Sequence, residues 1–169
     1  QWLRDGETIS KATKSSYKLT SADDGKLITV RVTGKLSGYA TVAKESTATV
    51  KVLKTAIPAI SGTFGTGNQL TVTPGAWTAG TTLTQQWYAN GKLLTGETGE
   101  TLLLTPAHVG KKITVKVTGE LADHPTATTT SKTSAKVLRV GAVTAQGTMV
   151  EGSTLKASSG TWTKKTKLS

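Results

Sequence analysis

Ten carboxylates, two histidines and no cysteine are the whole stock from which this chain of 169 residues could build an acid–base or metal site. Glycoside hydrolysis needs two carboxyl groups held at a set separation across a cleft, and the acids here are scattered, with Asp23-Asp24 the sole adjacent pair. That pair sits in a Ser-Ala-Asp-Asp-Gly segment, where short acids cap turns; a calcium ion would ask for six or more oxygens. Zinc takes three or four ligands, more than His108 and His124 can supply without cysteine. Serine and threonine abound, but a nucleophile requires an oriented base beside it. No enzyme activity, no cofactor and no metal site are therefore expected, and each histidine reads as a surface or loop residue.

The aromatic residues carry more information. Trp2 and Trp87 each follow a Gln and are expected to fill a core, where one large side chain can anchor two sheets. Trp77 and Trp162 follow Pro-Gly and Ser-Gly turns. They are expected to act as structural plugs; if exposed, they would be candidate ligand-binding residues that stack on sugar rings, joined by Tyr39 or Tyr88.

These tryptophans recur at a fixed spacing because the chain repeats itself. Shifted by 85 positions, Gln1-Trp2 falls on Gln86-Trp87, Ile28-Thr29-Val30 on Ile113-Thr114-Val115, and Val32-Thr33-Gly34 on Val117-Thr118-Gly119. The offset continues without a gap, so that Gly62, Gly67, Leu70, Gly75 and Trp77 fall on Gly147, Gly152, Leu155, Gly160 and Trp162. Fixed-period similarity means stacked or strung structural units. The period implies one complete repeat, residues 55–139, between two partial ones, 1–54 and 140–169. As 169 is one less than twice 85, the two partial repeats add up to one unit less a residue.

Composition agrees with β structure. Thr, Gly, Ser and Val dominate, with four Pro and one Phe, which suits short strands joined by turns. Without cysteine no disulfide can staple an 85-residue unit, and stability must come from a packed core. No apolar run reaches the roughly 20 residues that span a bilayer, so no membrane insertion is expected. The net charge of +11 favours anionic surfaces, such as a cell wall or polysaccharide. Nucleic-acid binding is not expected, since its usual mark is a dense basic stripe interleaved with aromatics, and the densest cluster, Lys164-Lys165-Thr166-Lys167, is short.

Alternation and turn residues map the complete repeat into strands: A near 59–62, B over 69–73, C over 83–89, a short C′ around Leu93, E over 101–105, F over 112–118 and G over 128–137. Ile113, Val115 and Val117 make one face of F, and Ile28, Val30 and Val32 the equivalent face one period earlier. Asn90-Gly91 and Asp5-Gly6 read as tight hairpin turns. About seven short strands at this spacing predict a β-sandwich.

Two segments resemble immunoglobulin-like domains: the Gln-Trp of strand C, and Leu19-Thr-Ser-Ala-Asp23-Asp-Gly25-Lys leading into Ile28-Thr-Val30. The chain is more closely similar to the tandem bacterial immunoglobulin-like repeats of secreted actinobacterial surface proteins and hydrolases. The matching residues are Pro74-Gly-Ala-Trp-Thr-Ala-Gly-Thr-Thr82, Gln86-Trp-Tyr-Ala-Asn-Gly91, Tyr17-Lys-Leu-Thr20 and residues 111–119. The resemblance implies an all-β fold of tandem immunoglobulin-like sandwich repeats and a secreted or cell-surface location. The function expected is a non-catalytic fibre, stalk or adhesive segment. Its units would join head to tail, with residues 140–169 of one chain donating strands to residues 1–54 of the next. The alternative is a carbohydrate- or cell-wall-binding accessory module of a secreted hydrolase.

Overall fold

In the computed structural model, which describes residues 1–169, nearly all regular structure is β: thirteen strands in four sheets, with 3-10 turns at Ser21–Asp23 and Pro106–His108. No helix is long and apolar enough to cross a membrane. The chain divides into two compact units, one of Gln1–Ala56, Gly75–Thr84 and Thr118–Thr129, the other of Ile57–Pro74, Gln85–Val117 and Thr130–Ser169.

The first unit holds β1 (Trp2–Arg4), β2 (Glu7–Thr8), β3 (Ile28–Gly34) and β4 (Val42–Glu45), hydrogen-bonded in the order β2-β1-β3-β4. The β1–β2 hairpin closes over Asp5-Gly6, at φ of 47° and 84°, the double left-handed bend that Asp-Gly supplies at low cost. Asp5 also fastens the hairpin to the start of β3, its carboxylate accepting the Leu27 N–H at 2.9 Å. Antiparallel pairing then sets Trp2 opposite Val30 and Arg4 opposite Ile28.

The following strands are β5 (Ala59–Ser61), β6 (Gln69–Thr73), β7 (Thr82–Ala89), β8 (Lys92–Leu93), β9 (Thr101–Leu103), β10 (Ile113–Glu120), β11 (Ala127–Thr130), β12 (Thr144–Gln146) and β13 (Lys156–Ser158). β5, β6 and β9 form a sheet in that order, β12 pairs β13, and the remaining sheet runs β11-β10-β7-β8. The hairpin turn Asn90-Gly91 repeats the geometry of Asp5-Gly6, and the Asn90 side chain accepts the Lys112 N–H at 2.8 Å.

The core of the second unit follows from period-two alternation. β6 turns Leu70 and Val72 inward, β10 turns Ile113, Val115 and Val117 inward, and all five are at most 4% exposed. Trp87 is fully buried among them, its indole N–H donating to the Gly99 carbonyl at 2.9 Å. The packing is sandwich-like. Expected strands A, B, C, C′, E and F lie at β5 to β10. Strand G is shorter than expected, because the chain leaves the ladder after Thr130 and side chains take over: the Ser131 and Ser134 hydroxyls accept the Val115 and Ile113 N–H groups. Ser46 and Thr49 do the same for Val30 and Ile28 one period earlier.

The same residues are not equally covered in the partial repeat. Ile28 is 4% exposed, Val30 half-buried and Val32 66% exposed, whereas Ile113, Val115 and Val117 are all at 0%. Val32 thus departs from the expected core, and Trp2 is half-buried where Trp87 is closed. The physical reason is that the two faces share an apolar pattern and differ in how far they are covered. It follows that Val117→Ala should lower stability by about 2 kcal/mol, from lost methyl burial and the cavity left behind. Val32→Ala in the dilute chain should stay within about 0.5 kcal/mol. Urea unfolding of the two variants checks the contrast; equal losses would contradict it.

Candidate functional site

The two adjacent acids turn in different directions and do different work. Thr20 in extended backbone starts the 3-10 turn Ser21–Asp23, which carries the Asp23 side chain back under it. Asp23 is fully buried. Its carboxylate accepts from Arg4 Nε at 2.7 Å, the Tyr17 hydroxyl at 3.0 Å, and the Thr20 N–H and hydroxyl at 2.6 and 2.9 Å. Burial alone would raise this carboxyl group, but the backbone N–H of Thr20 and the Arg4, Thr20 and Tyr17 side chains outweigh it and hold it below the ordinary value.

One period later the same turn is built without charge. The positions of Arg4, Tyr17 and Asp23 are taken by Ala89, Leu102 and His108. His108 Nδ1 accepts the Thr105 N–H at 3.0 Å, which places the ring proton of the neutral imidazole on Nε2. Burial, then the charge of Lys111, keep His108 below its ordinary value, against a smaller opposing pull from Glu97.

Asp24 instead faces the loop that precedes β7. It receives a hydrogen bond from the Thr78 hydroxyl. That hydroxyl also accepts the Lys54 N–H at 2.8 Å, and the Thr78 N–H returns to the Lys54 carbonyl at 3.3 Å. A bridge between Asp24 and Val52 and a bond from Gly25 N–H to the Val52 carbonyl at 2.8 Å complete the contact. This joins the end of residues 1–54 to the start of the complete repeat, all within the first unit. The second unit contains the same fastening one period on: Arg139 N–H donates to the Thr163 hydroxyl at 2.7 Å, and Thr163 N–H to the Arg139 carbonyl at 3.3 Å. Turn capping, the role expected from the sequence for Asp23-Asp24, describes Asp23 but not Asp24, whose partner Thr78 lies 54 residues away.

The candidate ligand-binding aromatics each sit on a different element. Trp77, in the loop before β7, lies against Gly119, where a Cβ would come within 2.5 Å of the ring. Trp162, after β13, leans on Gly141 and donates its indole N–H to the Ser159 carbonyl. Both are half-buried. Tyr39 is 74% exposed in the β3–β4 turn, and Tyr88 on β7 lies under the Lys116 ammonium, 4.9 Å from its ring centre. The acids and histidines gather into no group of three or more that could hold a metal ion.

The first unit carries an apolar groove of about 320 Å³ lined by Trp2, Tyr17, Leu19, Ile28, Val50 and Val52, among others. Trp2 and Tyr17 stack on one side, with ring centres 5.9 Å apart. One period later the equivalent Trp87, Leu102, Leu104, Ile113 and Val137 are all at most 1% exposed. No protein-family model matches the chain, and no curated protein or solved structure gives a match.

The two versions of the capping turn titrate in different windows. His108 is held neutral in the fold, so below about pH 6.5 the unfolded chain takes up a proton that the folded one lacks, and stability falls with pH. Asp23 is held ionised, so its contribution stays in place until pH drops below about 4. The urea midpoint of the complete repeat should therefore decline from about pH 6.5 downward, and His108→Asn should flatten that decline. An unsubstituted chain with a flat profile between pH 6.5 and 5 would refute the assignment.

Proposed function

We propose that this chain is a non-catalytic structural segment of an extracellular fibre, stalk or adhesive surface, built of immunoglobulin-like repeats of the bacterial tandem kind. Its repeats join end to end, and residues 140–169 of one chain complete residues 1–54 of a neighbour. The observation that carries this reading is the recurrence of the joint itself. Lys54 with Thr78 and Arg139 with Thr163 make the same paired hydrogen bonds one period apart, so the chain repeats its connections as well as its strands. An accessory binding module would need only its own surface. A stalk needs each unit to fix the direction of the next, which short linkers alone do not do.

The half-buried setting of Trp77 against Gly119 supports the same reading, since part of the ring is occupied in the fold. The positive charge suits a location beside anionic wall polymers and asks for no defined pocket.

Joint stiffness tests the proposal. The chain has no native cysteine, so nitroxide labels at Ser37→Cys and Thr126→Cys report on the joint without further substitution. Electron-resonance distance measurements should give a single narrow distribution that broadens in Thr78→Val and in Asp24→Ala. A broad distribution in the otherwise unsubstituted chain, or binding to insoluble polysaccharide that disappears in Trp77→Ala, would overturn the structural reading.

A further inference from the structure

We propose that an outer face of the complete repeat, around β10, docks a linear polyol chain joined by phosphodiesters, which Lys112, Lys116 and Lys136 hold. This rests on the surface location proposed above and adds to it the partner and the side chains that meet it.

Alternation along β10 puts Ile113, Val115 and Val117 in the core at 0% exposure and sends Lys112, Thr114 and Lys116 to the opposite face. Lys112 and Lys116 are exposed there, about 13 Å apart at roughly 3.3 Å per residue. Lys136 stands directly opposite Lys112 in an antiparallel bridge and is exposed as well. Tyr88 of β7 shares the face. The Lys116 ammonium lies 4.9 Å from its ring centre, a contact that holds the charge at the surface. All of these residues belong to the second unit.

Like charges directly opposite one another destabilise a sheet, and no carboxylate relieves these. The ion pairs of the chain, Arg4–Asp23, Lys26–Asp5 and Arg31–Glu45, all lie in residues 1–54. One period earlier the same face carries its own counter-ion. Arg31 takes the position of Lys116, and Glu45 opposite it accepts from Arg31 Nη2 at 2.9 Å and from the Thr29 hydroxyl at 2.8 Å. In the complete repeat Thr130 replaces Glu45, Lys112 replaces Leu27 and Tyr88 replaces Leu3, while the isoleucine and two valines of the core face are unchanged. The exchange removes an acid, adds a cation and sets a ring beneath a second cation, with the strand kept.

An anionic ligand supplies the missing counter-charge, and the side chains narrow its chemistry. All three cations are lysines, point charges that hold a phosphate from any side, whereas a planar carboxylate gains most from the fork of an arginine. Thr114 and Thr130 set hydroxyls beside them, which can donate to or accept from the hydroxyls of a polyol. The one aromatic ring of the face lies under Lys116, so it is no free platform for stacking nucleic-acid bases. A polymer with phosphates along its length meets Lys112 and Lys116 together, and two linked contacts hold better than either alone.

Fluorescence anisotropy with a soluble, labelled poly(glycerol phosphate) chain reads the face directly. Lys112→Leu combined with Thr130→Glu installs the residues that stand at these positions one period earlier. It should weaken binding by about tenfold or more, as local charge attraction is lost, without lowering the urea midpoint. Lys164→Gln combined with Lys165→Gln changes the net charge by the same amount and should leave binding within about twofold. Equal losses in the two variants would overturn the inference. So would equal binding of polygalacturonate or of single-stranded DNA matched in charge, or no binding of the unsubstituted chain at low salt. Absent binding in a chain that keeps the narrow spin-label distance would overturn the docking face alone, whereas a broad distance would remove the structural-repeat reading whether or not the polymer binds.

Discussion

A strand whose alternate residues are all branched and apolar has to be covered on that side, and in a chain without disulfides the cover is most of what holds the unit together. β10 presents Ile113, Val115 and Val117 on one face, and β6 answers with Leu70 and Val72, all at most 4% exposed. Trp87 fills the space between and satisfies its only polar atom on Gly99. The other features depend on this covering. The serine side chains that take over from strand G keep the β10 ladder satisfied where the backbone moves away. Residues 1–54 repeat β10 as β3 without its cover, and exposure climbs from 4% at Ile28 to 66% at Val32.

Much of the complete repeat was legible because each strand carries its own signal. Gln69–Thr73 alternates strictly, and Asn90-Gly91 and Asp5-Gly6 name a hairpin whose positive φ values only a few residues accept. The location of Trp87 followed from its place in strand C. Alternation reports which face of a strand is apolar and is silent on whether anything lies against it; Val32 shows the difference. The joint was hidden for another reason. Thr78 and Asp24 are 54 residues apart, and nothing in a threonine among many threonines marks it as the one that meets a carboxylate. The charged network around Asp23 was equally invisible, because Arg4, Tyr17 and Asp23 come from three separate segments that only the fold assembles.

The comparison of the two capping turns shows how the same backbone tolerates opposite chemistry. In one copy a buried carboxylate is acceptable because all the partners it needs converge on it: a guanidinium, a phenol, a hydroxyl and a backbone N–H. Removing the carboxylate would leave Arg4 as a part-buried cation without a counter-ion, which is why the three positions change together. The other copy has Ala89 and Leu102 in place of the arginine and tyrosine, and an imidazole that needs only to accept one N–H. Both solutions close the turn, and neither side chain would work among the other's neighbours.

A joint made of hydrogen bonds differs physically from one made of apolar contact. Burial is non-directional and scales with area, so two greasy ends can slide or rotate over one another at little cost. The Thr78 hydroxyl, accepting from Lys54 N–H and donating to Asp24, has geometry in both bonds, and hydrogen bonds weaken steeply away from it. The backbone pair between Thr78 and Lys54 adds a third direction. Where Asp24 is replaced one period later by Val109, the Arg139–Thr163 pair remains but the carboxylate arm is gone. The second joint has in its place a bond from Val140 N–H to the Thr66 hydroxyl at 2.9 Å, so the two joints share one pair of hydrogen bonds and differ in the side chain that braces it.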